Sequence, residues 1–114
     1  MKRFFSVLLP ASAIVALASL NMVVAEDMPT FRLTLQDDVF TPSELKVPAN
    51  TAFMLKVLNK EKAGAEIEAK DLKIEKVVAA GGEITMRVKP MKPGRYLLVN
   101  EYKEDKAKIF VVVE

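Results

Sequence analysis

Seven carboxylates crowd two short stretches of the chain: Glu66, Glu68, Asp71 and Glu75, then Glu101, Glu104 and Asp105. They are the hard donors of a sequence that has no Cys and no His among its 114 residues. A disulfide, a thiolate metal site and a Cys nucleophile are therefore excluded, and the commonest metal ligand and general base is missing. An oxygen-only donor set suits Fe(III), Mn(II), Ca(II) or Mg(II) rather than Cu(I). Glu66 and Glu68 are two residues apart, so they share a face if that stretch is extended. A second reading stands beside this one. The same acids are solvated surface charge balanced by Lys60, Lys62, Lys70, Lys73 and Lys76, and exposed pairs of that kind contribute little. No Ser–base pair, phosphate-cradling Gly loop or paired acid and base stands out, so the expectation is a protein that is not an enzyme.

The chain opens with a targeting pattern. Met1-Lys2-Arg3 is basic, Phe4 to Leu20 is almost wholly apolar, and Val23 and Ala25 are small residues before Glu26-Asp27. This predicts a secretory signal peptide over residues 1–25, cleaved after Ala25, with a domain over residues 26–114. The competing reading, a membrane anchor, asks for roughly 20 apolar residues, which this run does not quite supply. Without the leader the expected location is the periplasm, with no membrane span. Lys+Arg number 17 against 15 Asp+Glu, and Lys2 and Arg3 supply the whole difference. The remaining domain is balanced in charge, which gives no basis for nucleic-acid binding.

The elements that must position these acids read as strands. Phe31-Arg32-Leu33-Thr34-Leu35-Gln36 alternates, with Phe31, Leu33 and Leu35 inward. Phe40 reads as a core plug before Pro42, and Leu45 and Val47 face inward on a short strand. Asn50 suits a turn with positive φ. In Thr51 to Asn59 the residues Phe53, Leu55 and Val57 share one face. Residues 60–76 read as short extended pieces with one helical turn. Val77-Val78 leads into the Gly81-Gly82 turn, and Ile84, Met86 and Val88 alternate in the next strand. Pro93-Gly94 feeds a strand in which Tyr96, Leu98, Asn100 and Tyr102 share a face. Asn100 is a polar group on an apolar face, and a buried amide needs hydrogen-bond partners. Ile109 to Val113 is a continuous β-branched and aromatic run, expected to be covered on both faces. About seven short strands with regular turns predict an all-β, antiparallel Greek-key β-sandwich.

Five short pieces, in order, resemble the cupredoxins: Phe40-Thr41-Pro42, Val47-Pro48-Ala49-Asn50-Thr51, Leu58-Asn59, Ala80-Gly81-Gly82 and Lys92-Pro93-Gly94-Arg95-Tyr96. Within that family the sequence is most similar to the periplasmic cupredoxin-like proteins of bacterial iron-uptake operons, which accompany an iron permease. The acidic stretch 65–78 before the Gly turn carries that likeness. The resemblance implies copper-ligand positions at Asn100 (the family's Cys), Lys103 (a His), Lys108 (near the Met) and Glu66 (near the first His). None keeps its ligand, so type-1 copper is not expected. The aromatic–His pair of the iron-uptake proteins is also missing at Tyr102-Lys103.

In the fold so implied, stretch 66–71 meets the loop 100–105, which brings Glu66, Glu68 and Glu101 together as a carboxylate cluster for a metal. Met86 reads as core filler, and Met91, between Pro90 and Pro93, as an exposed thioether near the ligand end, where a Met-based copper site is the alternative to packing. The functional expectation is an accessory to metal uptake, iron first, that docks on a membrane iron permease or another periplasmic uptake protein. The alternative is a metal-free interaction or structural module.

Overall fold

The computed structural model describes residues 28–114, so the signal peptide expected over residues 1–25 lies outside the described residues. Strands β1 (Thr30–Gln36), β2 (Val39–Thr41), β4 (Phe53–Asn59) and β7 (Glu83–Val88) form one sheet in the order β2-β1-β4-β7. Strands β3 (Glu44–Val47), β5 (Ala65–Ala69), β6 (Ile74–Val78), β8 (Gly94–Asn100) and β9 (Lys108–Val113) form the other, in the order β3-β9-β8-β5-β6. The expected all-β sandwich is present. Two corrections apply to its detail. There are nine strands among the described residues rather than about seven, and both sheets are mixed: β1 runs parallel to β4, and β3 runs parallel to β9. Alternation along a strand reports which face is buried and not which neighbour it pairs with, so the parallel pairings had no local signal.

The inward residues of both sheets meet in one core. Leu33, Leu35, Phe53, Leu55 and Val57 come from the four-stranded sheet, and Ile67, Leu98, Ile109 and Val111 from the five-stranded one. Phe31 is half-buried and packs edge-on against Phe53, with ring centroids 5.5 Å apart. Strand β9 departs from the expected two-sided burial. Its pattern alternates, with Phe110 40% exposed and roofed by the Arg95 guanidinium at 4.5 Å, so only one face is in the core. Met86 is core, as expected. Met91 is half-buried and packed on the core at the Gly94 end of β8, opposite to Asn100, which removes it from the ligand end. On β6, an edge strand, Lys76 takes an inward register position between buried Ile74 and Val78 yet stays exposed, a charge that discourages edge-to-edge pairing.

Three turns carry the backbone into the left-handed region without glycine. Asp37 and Asp38 both have positive φ in the two-residue turn joining β1 to β2, as the geometry of a twisted hairpin demands. Their N–H groups donate to the two oxygens of Glu61, at 2.9 and 2.7 Å. Asn50 has φ 56, as its side chain favours. Lys73 has φ 61 after the one-turn 3₁₀ helix Lys70–Leu72 and is exposed there. An L-residue in this region costs about 1–2 kcal/mol, partly offset for glycine by its larger unfolded entropy. Lys73→Gly is therefore expected to stabilise the fold by roughly 0.5–1 kcal/mol, a gain of a few degrees in thermal unfolding; an unchanged or lower midpoint would contradict this reading of the turn.

Candidate functional site

The outer face of the five-stranded sheet gathers the acids. On β5 the residues Ala65, Ile67 and Ala69 are buried, which turns Glu66 and Glu68 outward. Strand β6 pairs antiparallel with β5 and sets Glu75 directly opposite Glu68, with Glu66 on the diagonal. Strand β8 sets Asn100 opposite Ile67, so Glu101, the next residue, arrives at the level of Glu66. Carboxylate oxygens of Glu66, Glu75 and Glu101 lie within 4.8 Å of one another. Of the three acids expected to cluster, Glu66 and Glu101 belong to this set. Glu68 lies beside it, and Glu75 completes it. Glu75 was legible only as one carboxylate among several, because its place depends on the β5–β6 register.

Glu68 is held in an unfavourable setting. Partial burial, then the Glu101 carboxylate and a hydrogen bond shared with it, raise the pKa of Glu68 above its ordinary value; Lys70 opposes this and Glu104 reinforces it. Because the folded-state pKa is raised, protonation of Glu68 favours the folded form. The stabilising contribution is complete below the ordinary carboxylate pKa and is lost as pH rises through the raised value. At neutral pH Glu68 is thus a repulsive group beside Glu101 and Glu104. Glu68→Gln is expected to raise the thermal midpoint at pH 7 more than at pH 4, read by circular dichroism. An equal shift at both pH values would contradict the repulsion.

The positions that the resemblance assigns to copper lie at the same end of the molecule. Glu66 N–H donates to Asn100 Oδ1 at 3.0 Å, and Tyr102 N–H donates to the same oxygen at 3.2 Å. Asn100 is 3% exposed and caps the one-turn 3₁₀ helix Glu101–Lys103. That helix ends the strand, so Tyr102 is exposed and does not continue the inward face of Tyr96, Leu98 and Asn100. The Lys103 ammonium pairs with Asp38 at 3.4 Å. Lys108 begins β9, opposite Val99. These groups do not fit copper. No thiolate or imidazole is present, the amide oxygen is committed to two N–H donors, and an ammonium replaces an imidazole.

A second buried amide braces this end. Asn59 is fully buried at the end of β4. Its Nδ2 donates to the carbonyls of Ala63, Val78 and Ala79, and its Oδ1 accepts from Glu61 N–H. Asn59 continues the inward series Phe53, Leu55, Val57, so the same signal that singled out Asn100 was present for Asn59. Asn59 places Glu61, Glu61 holds the Asp37-Asp38 turn, and Asp38 meets Lys103. A cleft of about 500 Å³ opens there, walled by Asp38, Glu61, Asn100, Tyr102 and Lys103.

A family model described as a cupredoxin-like domain matches residues 7–113. An uncharacterized protein of Rickettsia prowazekii (strain Madrid E) is 32% identical over 82 residues, which cover 72% of this chain and 66% of that protein. The match thus spans slightly less than two thirds of that relative's length. Among solved structures, one similar fold is the metal-binding domain of the Cu(I)-exporting P-type ATPase CopA of Streptococcus pneumoniae D39 with Cu(I): TM-score 0.69, 14% identity, covering 80% of this chain and 90% of that one. Another is auracyanin A, a "blue" copper protein of Chloroflexus aurantiacus: TM-score 0.65, 10% identity, covering 77% of this chain and 100% of that one. At these identities the structural likeness speaks for the fold.

Proposed function

Given that the chain belongs to the cupredoxin-like domain family, we propose that it is an exported, non-catalytic accessory to metal uptake that presents a hard cation, iron first, on carboxylates instead of holding copper on soft donors. The observation that carries this is the convergence of Glu66, Glu75 and Glu101 from three different segments onto one point of the sheet face. Oxygen donors at that separation suit a hard di- or trivalent ion. The basic, apolar and small-residue pattern of residues 1–25 supports export to the periplasm. The partner in this reading is a membrane iron permease or another periplasmic uptake protein.

The test is iron accumulation by cells that carry Glu66→Gln, Glu75→Gln and Glu101→Gln together. These side chains are half-buried or exposed, so the fold should survive the change. Loss of uptake with a native circular-dichroism spectrum supports the cation role; unchanged uptake contradicts it. One observation favours a second reading, a metal-free interaction module. Asn100 and Lys103, at positions where the resemblance expects copper ligands, are tied into hydrogen bonds and an ion pair within the protein. Under that reading the triple variant is silent.

A further inference from the structure

A second acidic feature lies beside the triad and shares none of its residues. A groove of about 540 Å³ runs over β8, with Leu97 and Val99 as its floor. One wall is the 3₁₀ helix at Lys70 and Asp71, and the other is the loop at Glu104 and Asp105, with Glu68 and Lys108 on the rim. Leu97 is 46% exposed, and Phe110 stands next to it on β9, directly opposite in register. The outward face of a sheet ordinarily carries polar groups, so Leu97, exposed on the groove floor beside the Arg95-covered Phe110 ring, is apolar surface without an apolar partner. The rim decides what covers it. Glu68, Asp71, Glu104 and Asp105 outnumber Lys70 and Lys108 around the groove.

We propose that this groove is a docking site for a basic protein segment that seats an apolar side chain against Leu97, above the buried Val99, and aligns Lys or Arg with the acidic walls. An apolar anchor in a desolvated centre supplies affinity, and rim charges supply steering and selectivity. An anionic membrane surface is excluded by the sign of the rim. The inference does not depend on the cation reading, because Glu75 and Glu101 lie outside the groove.

The probe is a synthetic seven-residue peptide alternating Lys and Leu, compared with its Glu-Leu counterpart, titrated into ¹⁵N-labelled protein with EDTA present. The expected result is saturable shift changes at Leu97, Val99, Glu104 and Lys108 with the Lys peptide alone, weakened by added salt. Leu97→Ser should weaken binding about tenfold. The double change Glu104→Lys and Asp105→Lys should transfer the preference to the Glu peptide. Both sites are exposed, so both variants should fold. Glu75→Gln should leave peptide binding unchanged while it weakens cation binding, which separates failure of one proposal from failure of the other. Equal binding of the two peptides, no binding, shifts confined to another face, or occlusion of the groove by a second copy in sedimentation would each overturn the proposal.

Discussion

Asn59→Ala is expected to be the most damaging single polar substitution in this protein, costing about 3 kcal/mol, equivalent to a fall of roughly 12–24 °C in the thermal midpoint of a domain this small. Asn59 is fully buried and serves four backbone groups from two segments: the N–H of Glu61 and carbonyl of Ala63 in one loop, and the carbonyls of Val78 and Ala79. Alanine leaves these groups short of a partner where water has poor access, and a buried unpaired group costs about 1–3 kcal/mol. The damage should spread along the chain of contacts. Freed from Asn59, Glu61 is no longer fixed to accept the Asp37 and Asp38 N–H donors, and the turn with two left-handed aspartates loses its brace. Asn59→Asp should be at least as harmful as alanine, although it matches the shape, because a buried carboxylate would face three carbonyl oxygens. Equilibrium denaturation checks both, and a loss under 1 kcal/mol for alanine would contradict the role assigned to this amide.

Asn100→Ala should follow at about 2 kcal/mol, again by equilibrium denaturation. Here the working atom is Oδ1, which accepts from Glu66 N–H and Tyr102 N–H and so joins β5 to the turn after β8. The contrast with Asn59 is specific. Asn100→Asp keeps the acceptor and should cost less than Asn59→Asp, which loses three donations. Asn100 also sets the backbone on either side of the triad, Glu66 directly and Glu101 through the 3₁₀ cap. The alanine variant should therefore weaken cation binding as well as stability, whereas Asn59→Ala should act mainly on stability. If the two variants affect binding equally, the amide of Asn100 does not position the carboxylates.

The sandwich was legible in the sequence because burial on one face imposes a two-residue period, and β1, β4 and β7 carry it openly. Asn50 was legible for a local reason, its tolerance of positive φ. Asn100 stood out as a polar residue on an inward register, and the structure gives it the backbone partners such a residue needs. Asn59 obeys the same rule but ends its strand next to a charged stretch, where the inward register is easily taken to have stopped. The β9 run misled because β-branched composition reports strand preference without reporting which face is covered, and Arg95 over Phe110 stands in for a second layer. Glu75 joined the triad through the β5–β6 register, set by a 3₁₀ turn whose geometry has no plain sequence signal, and Glu101 through the long-range pairing of β5 with β8.

The proposed role requires that carboxylates on the sheet face, not soft donors at the Asn100 end, bind a cation. Calorimetric titration with Mn(II), a tractable hard ion, tests it most directly, with the Glu66→Gln, Glu75→Gln, Glu101→Gln variant in parallel and Cu(II) added to a third sample. One Mn(II) bound at micromolar concentration, lost in the variant, with no intense visible colour from Cu(II), is the predicted result. Absence of Mn(II) binding, binding that survives the triple change, or an intense copper colour would contradict it.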